Sequence, residues 1–144
     1  MLNIYGSVES RTSNDSVLEK WDYMLDIVSK IASKGEWLII IGDLNVHIGS
    51  LVQSNMKTDI SFGGQLVKDF VSSGDYILVN SSEKVTGGPY TRIDPAFPHN
   101  ESVLDLCIVS RELYAYLDKL VIDKERYVTP FRAVSKSKIV FSDH

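Results

Sequence analysis

Trp37-Leu38-Ile39-Ile40-Ile41-Gly42-Asp43-Leu44-Asn45 is the stretch that decides the fold. From Trp37 to Ile41 the chain is apolar without a break. Such a run suits a central strand covered on both faces. Gly42 ends it, and Asp43-Leu44-Asn45-Val46-His47 follows. Along an extended chain, positions i and i+2 point to the same side, which pairs the Asp43 acid with the Asn45 amide. Sites in α/β sheets gather at the carboxyl ends of strands. Gly, Asp and Asn are also common turn residues, and taken alone a turn is the plainer reading.

On the N-terminal side, Asn14 or Asp15 can cap a helix running to about Ser33. Val17, Leu18, Trp21, Met24, Leu25, Val28, Ile31 and Ala32 recur in steps of three and four and predict one buried stripe. Gly35 stands where a helix takes a left-handed stop. Before the helix, residues 2–5 read as a short strand and 7–15 as a loop. On the C-terminal side, residues 50–61 read as a surface loop. Gly63 to Ser73 reads as a second helix burying Leu66, Val67, Phe70 and Val71, and 76–80 as a strand. Residues 81–100, rich in Gly, Pro and Ser, read as loop with an extended piece at 90–92. Strands are expected at 102–109, 120–123 and 139–141, with a short helix at 111–117 capped by Ser110. Helices alternate with strands early and the later part is richer in strand, which predicts one layered α/β domain over residues 1–144.

Bulk properties bound the rest. The chain has 144 residues, 44% hydrophobic and 24% charged, as in globular proteins. No stretch approaches the ~20 apolar residues of a membrane span, and the first ten residues do not read as a signal peptide. The single cysteine, Cys107, sits in an apolar run and reads as a reduced, buried thiol, which fits an intracellular home, cytoplasmic or nuclear. Three glycosylation sequons, at Asn14, Asn80 and Asn100, read as chance in that setting. The net charge of −4 argues against a general polyanion-binding surface. It leaves room for an enzyme that holds a divalent metal on carboxylates.

Two further segments carry candidate chemistry. Asp105 interrupts the apolar run Ser102 to Val109, where a carboxylate takes a partner, a metal or the solvent face of the strand. Ser142-Asp143-His144 follows the apolar Ile139-Val140-Phe141; alone it reads as a polar chain end.

The order of these segments is more specific than any one of them. Gly42-Asp43-Leu44-Asn45, then Thr91-Arg92, then Ser102-Val103-Leu104-Asp105, then Ser142-Asp143-His144 resembles the C-terminal motif series of the endonuclease/exonuclease/phosphatase superfamily. The acids fall about sixty and then about forty residues apart, as in that family. Leu44 replaces the phenylalanine of the family's Gly-Asp-Phe-Asn block. Val46-His47 and the Thr-Arg and Ser-Val-Leu-Asp blocks are most similar to the apurinic/apyrimidinic-type endonuclease domains of non-LTR retrotransposons.

The resemblance implies a fold of two packed mixed β-sheets flanked by helices and a hydrolase acting on phosphodiesters with Mg²⁺ or Mn²⁺. DNA is the implied substrate, and a reverse transcriptase domain is expected in the same polyprotein. Asp43 would orient the attacking water, and Asn45 would hold a phosphate oxygen. His144 would stabilise charge on the phosphate, and Asp105 would orient His144. Asp143 would lie at the metal, and Tyr5 near the scissile phosphate. Thr91 and Ser102 would contact the nucleic-acid backbone, with His47 a neighbour of the site. The family places an Asn and a metal-binding Glu on two strands ahead of Tyr5, whereas only four residues precede it here. The domain is therefore expected to be incomplete at its N-terminus, with little or no cleavage by this chain alone. A phosphatase of the same superfamily acting on a small or lipid phosphoester, or an inactive partial copy, stays open as an alternative.

Overall fold

The computed structural model describes residues 2–3, 13–52, 59–88, 90–93, 101–122 and 138–141. The architecture is mixed α/β. Strand β1 (Leu2–Asn3) is followed by helix α1 (Asn14–Ala32), β2 (Ile39–Asp43), α2 (Phe62–Ser72) and β3 (Tyr76–Leu78). Then come β4 (Val85–Gly87), β5 (Arg92–Ile93), β6 (Glu101–Ser102), β7 (Asp105–Ser110), α3 (Arg111–Tyr114), β8 (Lys119–Ile122) and β9 (Lys138–Phe141). The main sheet has the order β1-β2-β7-β3, with β1 parallel to β2 and β7 antiparallel to both of its neighbours. A second sheet, β4-β8-β9, is parallel throughout, and β5 and β6 form a small antiparallel pair.

Strands β2, β7 and β3 are apolar on both faces, and alternation assigns each of their apolar residues to one of two cores. Ile40, Leu78, Leu106 and Ile108 join Met24 and Val28 of α1 and Val67 of α2 in the larger cluster. Ile39, Ile41, Ile77, Cys107 and Val109, from the intervening positions, pack with Val79, Val85 and Leu120 in the second cluster, on the side of the β4-β8-β9 sheet. Helices thus cover one face of the main sheet and the second sheet contributes to the cover of the other. Period-2 side-chain direction makes this possible from continuous apolar strands. No helix among the described residues is long and apolar enough to cross a membrane.

Several expected boundaries move, each for a local reason. Ser13 caps α1, its Oγ accepting from the Ser16 N–H, one residue ahead of the expected cap. Leu18 of the predicted stripe is 40% exposed, so the buried face begins nearer Trp21. Gly35 does take the left-handed conformation, at φ +68°. The central strand starts at Ile39 rather than Trp37, which is 54% exposed and stacks on Tyr116 with ring centroids 5.1 Å apart. It runs on through Gly42 to Asp43 because β7 pairs with it that far. The expected strand 102–109 is two elements. Ser102 belongs to β6, and β7 begins only at Asp105. Ser110 does not cap α3; its Oγ accepts from the Leu38 N–H. Val85–Gly87, inside the expected loop, forms a strand by pairing with β8.

Candidate functional site

Asp43 ends β2 and Asp105 begins β7, and the two are directly paired across the strands. The hydrogen-bond pattern fixes which kind of pair they make. Ser110 N–H donates to Leu38 O at 3.0 Å, and Leu44 N–H donates to Leu104 O at 3.0 Å. In antiparallel pairing, hydrogen-bonded and non-hydrogen-bonded pairs alternate. Residues 38, 40, 42 and 44 of this segment therefore bond to β7, and Asp43–Asp105 is a non-hydrogen-bonded pair. In such pairs the side chains approach most closely, with Cβ atoms about 4.5–5.5 Å apart. Both acids are half-buried and share a sheet face with Ile41 and Cys107. Two segments about sixty residues apart in sequence thus place two acidic residues opposite each other at one end of the sheet.

Asn45 stands beyond them. The Asp43 carboxylate accepts from the Asn45 N–H at 2.9 Å, closing an Asx turn. Asn45 has φ +51°, the left-handed conformation that asparagine tolerates better than most residues. The segment therefore forms the plain turn, and the extended alignment expected of Asp43 with Asn45 gives way to it because β2 ends at Asp43 and Asn45 is left-handed. Leu44 and Val46 on either side are buried and anchor the turn in the main core. His47 is half-buried; its N–H donates to Ser61 Oγ at 3.1 Å and its carbonyl accepts from the Ser61 N–H at 2.9 Å. The segment leaving β2 is thus pinned to the N-terminus of α2.

The N–H and C=O groups of Asp105 and Cys107 point away from β2, towards the flank where β3 runs. Side chains meet them there. Thr91, 5% exposed, has an Oγ1 that accepts from Leu104 N–H at 2.9 Å and Asp105 N–H at 3.0 Å. Asn80, 7% exposed, donates from Nδ2 to Asp105 O at 3.0 Å and accepts at Oδ1 from Cys107 N–H at 2.7 Å. Ser102 lies next to this arrangement, its carbonyl accepting from Thr91 N–H at 3.1 Å. Cys107 is fully buried, and burial pushes its thiol up to about 12, so it is a packing residue and no nucleophile.

The structure thus gathers Asp43, Asn45, Asp105, Thr91 and Ser102 at one end of the β2–β7 pair, with His47 one turn further along the chain. Tyr5, Asp143 and His144 lie outside the described residues. Among the described residues no group of three or more His, Cys, Asp or Glu is placed to hold a metal ion. Asp43 and Asp105 supply two carboxylates, the hard oxygen donors that Mg²⁺ takes alongside water and phosphate. Asn80 is the residue of this region that sequence reading missed. In sequence it stands only at the end of an expected strand and in a chance sequon, and its signal is a polar residue set immediately after the apolar Tyr76–Val79. Comparison with known proteins found no matching family model, curated protein or solved structure.

Proposed function

We propose that this protein is a metal-dependent phosphodiester hydrolase of the endonuclease/exonuclease/phosphatase type, acting on DNA. The observation that carries the reading is the cross-strand pair Asp43–Asp105 with Asn45 on the turn beyond it. Two adjacent carboxylates repel, and cross-strand pairs of like charge are destabilising. A positively charged partner beside them, an imidazolium or a divalent cation, offsets that repulsion, so the arrangement has a chemical use that a plain turn lacks. The helix–sheet–sheet layering agrees with the two-sheet sandwich of that superfamily.

In this reading Asp43 orients the attacking water, its other tie being the Asn45 N–H that fixes its direction. The Asn45 side chain holds a phosphate oxygen. Asp105 orients His144, which donates to the phosphate, and Tyr5 and Asp143 complete the site. Mg²⁺ or Mn²⁺, when bound, supplies Lewis-acid polarisation of a phosphoryl oxygen. The Thr-Arg and Ser-Val-Leu-Asp blocks favour nucleic acid over a small phosphoester, and a reverse transcriptase domain is the expected companion. Location inside the cell, nuclear or cytoplasmic, follows from such a substrate.

The test is nicking of supercoiled plasmid by the protein expressed from its whole reading frame, with an inositol phosphate as the competing substrate. Mg²⁺-dependent nicking that falls by about 10²-fold or more in Asp43→Asn and Asp105→Asn, with folding intact, is expected. Nicking indifferent to both substitutions sinks the proposal. Turnover of the inositol phosphate alone moves the substrate to the phosphatase branch.

A further inference from the structure

We propose that Asn80 is a positioning residue for Asp105, holding it in place against Asp43; this rests on the hydrolase reading above. The β3–β7 register pairs Tyr76 with Ser110, Ile77 with Val109 and Leu78 with Ile108. Continued by three residues, it would set Val79 opposite Cys107 and Ser81 opposite Asp105. Strand backbone would then bond both residues of β7 from that side. β3 instead stops at Leu78, and Val79–Ser81 coils into a 3-10 turn. The ladder is replaced by side chains. Asn80 takes Asp105 O and Cys107 N–H, the acceptor and donor that a strand would have taken, and Thr91 takes Asp105 N–H.

A primary amide has the donor–acceptor geometry of a peptide group, so Asn80 can meet one acceptor and one donor of β7 as a strand would. No buried side-chain nitrogen or oxygen among the described residues lacks a partner. Asp105 therefore has its N–H held from one element and its C=O from another, while β2 fixes its opposite edge. Three segments thus fix the backbone from which the Asp105 side chain projects. Asn80 lies behind the strand and acts through Asp105, without itself reaching the reacting atoms.

The test compares Asn80→Ala and the isosteric Asn80→Asp, which keeps an acceptor for Cys107 N–H and removes the donor to Asp105 O. In the full protein with Mg²⁺ and plasmid, kcat is expected to fall by about 10²-fold with KM unchanged, the cost of misplacing a group by roughly 1 Å. In an Asp105→Asn background the same substitutions should cost nothing further, because their only route to the chemistry is gone. An equal loss in that background, or wild-type kcat in folded Asn80→Asp, overturns the positioning role. Amide exchange gives a readout independent of turnover: Cys107 N–H should lose protection in Asn80→Ala, and retained protection overturns the clamp. If the wild-type protein hydrolyses no phosphoester, the hydrolase reading fails by itself. An unchanged Asp105 carboxyl resonance in Asn80→Asp then counts against the positioning role separately.

Discussion

Replacing Gly64 by alanine sets helix propensity against packing, with opposite signs. Gly64 lies in the first turn of α2, where alanine gains about 1 kcal/mol on propensity alone. A Cβ built at Gly64, however, falls 1.9 Å from His47 O and 2.8 Å from His47 C, whereas real Cβ contacts essentially never come under 3.0 Å. The obstacle is backbone, so no rotamer change removes it. That carbonyl also accepts the Ser61 N–H at 2.9 Å, and α2 cannot back away without losing the bond. Overpacking costs about 1–3 kcal/mol and the weakened bond about 1 kcal/mol more. Less the propensity gain, Gly64→Ala should destabilise by about 1–3 kcal/mol, a fall in Tm of roughly 3–10 °C for a chain of this size. Scanning calorimetry of the two proteins reads this directly. Under the proposed hydrolase reading, activity should fall as well, because His47 follows the Asn45 turn. A Gly64→Ala protein as stable as the parent, or more so, refutes the argument that α2 docks on this carbonyl.

Other outcomes follow from single contacts. Asn80→Ala leaves Asp105 C=O and Cys107 N–H without their partner and should cost about 2–5 kcal/mol in urea unfolding, against about half of that or less for an exposed asparagine. Asp43→Ala should unfold more readily than Asp43→Asn by about 1 kcal/mol, because asparagine still closes the turn on Asn45 N–H; equal stabilities count against that turn. Cys107 should resist thiol reagents at pH 8 in the folded protein and react on unfolding. Its folded pKa of about 12 lies above the ordinary 9.0, so the unfolded chain ionises first and stability should fall as pH rises from about 9 towards 12; Cys107→Ala should flatten that window. Lys84 Nζ donates to the carbonyls of Tyr114 and Leu117 and lies 4.4 Å over the Tyr114 ring, so Lys84→Met should destabilise by about 1.5–3 kcal/mol and increase amide exchange in α3.

Much of the candidate site is legible as residues. Asp43, Asn45, Asp105, Thr91 and Ser102 were all singled out from their motifs, and the structure brings them to one sheet end. Their local settings were less legible. Thr91, expected at a nucleic-acid backbone, is buried with its hydroxyl accepting two N–H groups of the β7 entry. Asn80 carries only a chance sequon and stands in none of the family motif blocks. Its contacts with β7 arise because β3 stops early, and no local pattern in Tyr76–Asn80 tells a strand of three residues from one of five.

The sequence by itself determined which segments are strands and helices in the first half, which residues could be core, and which polar residues are out of place among apolar ones. It could do so because periodicity and apolar runs are local properties, readable within a dozen residues. Register, the split between the two cores and the approach of Asp43 to Asp105 were decided only by tertiary structure. A continuous apolar run such as Leu38–Ile41 is equally compatible with either face, and only the partner strand says which neighbour each side chain meets. The same holds for Val85–Gly87, which is a strand because β8 offers it a ladder and not because its own residues demand one.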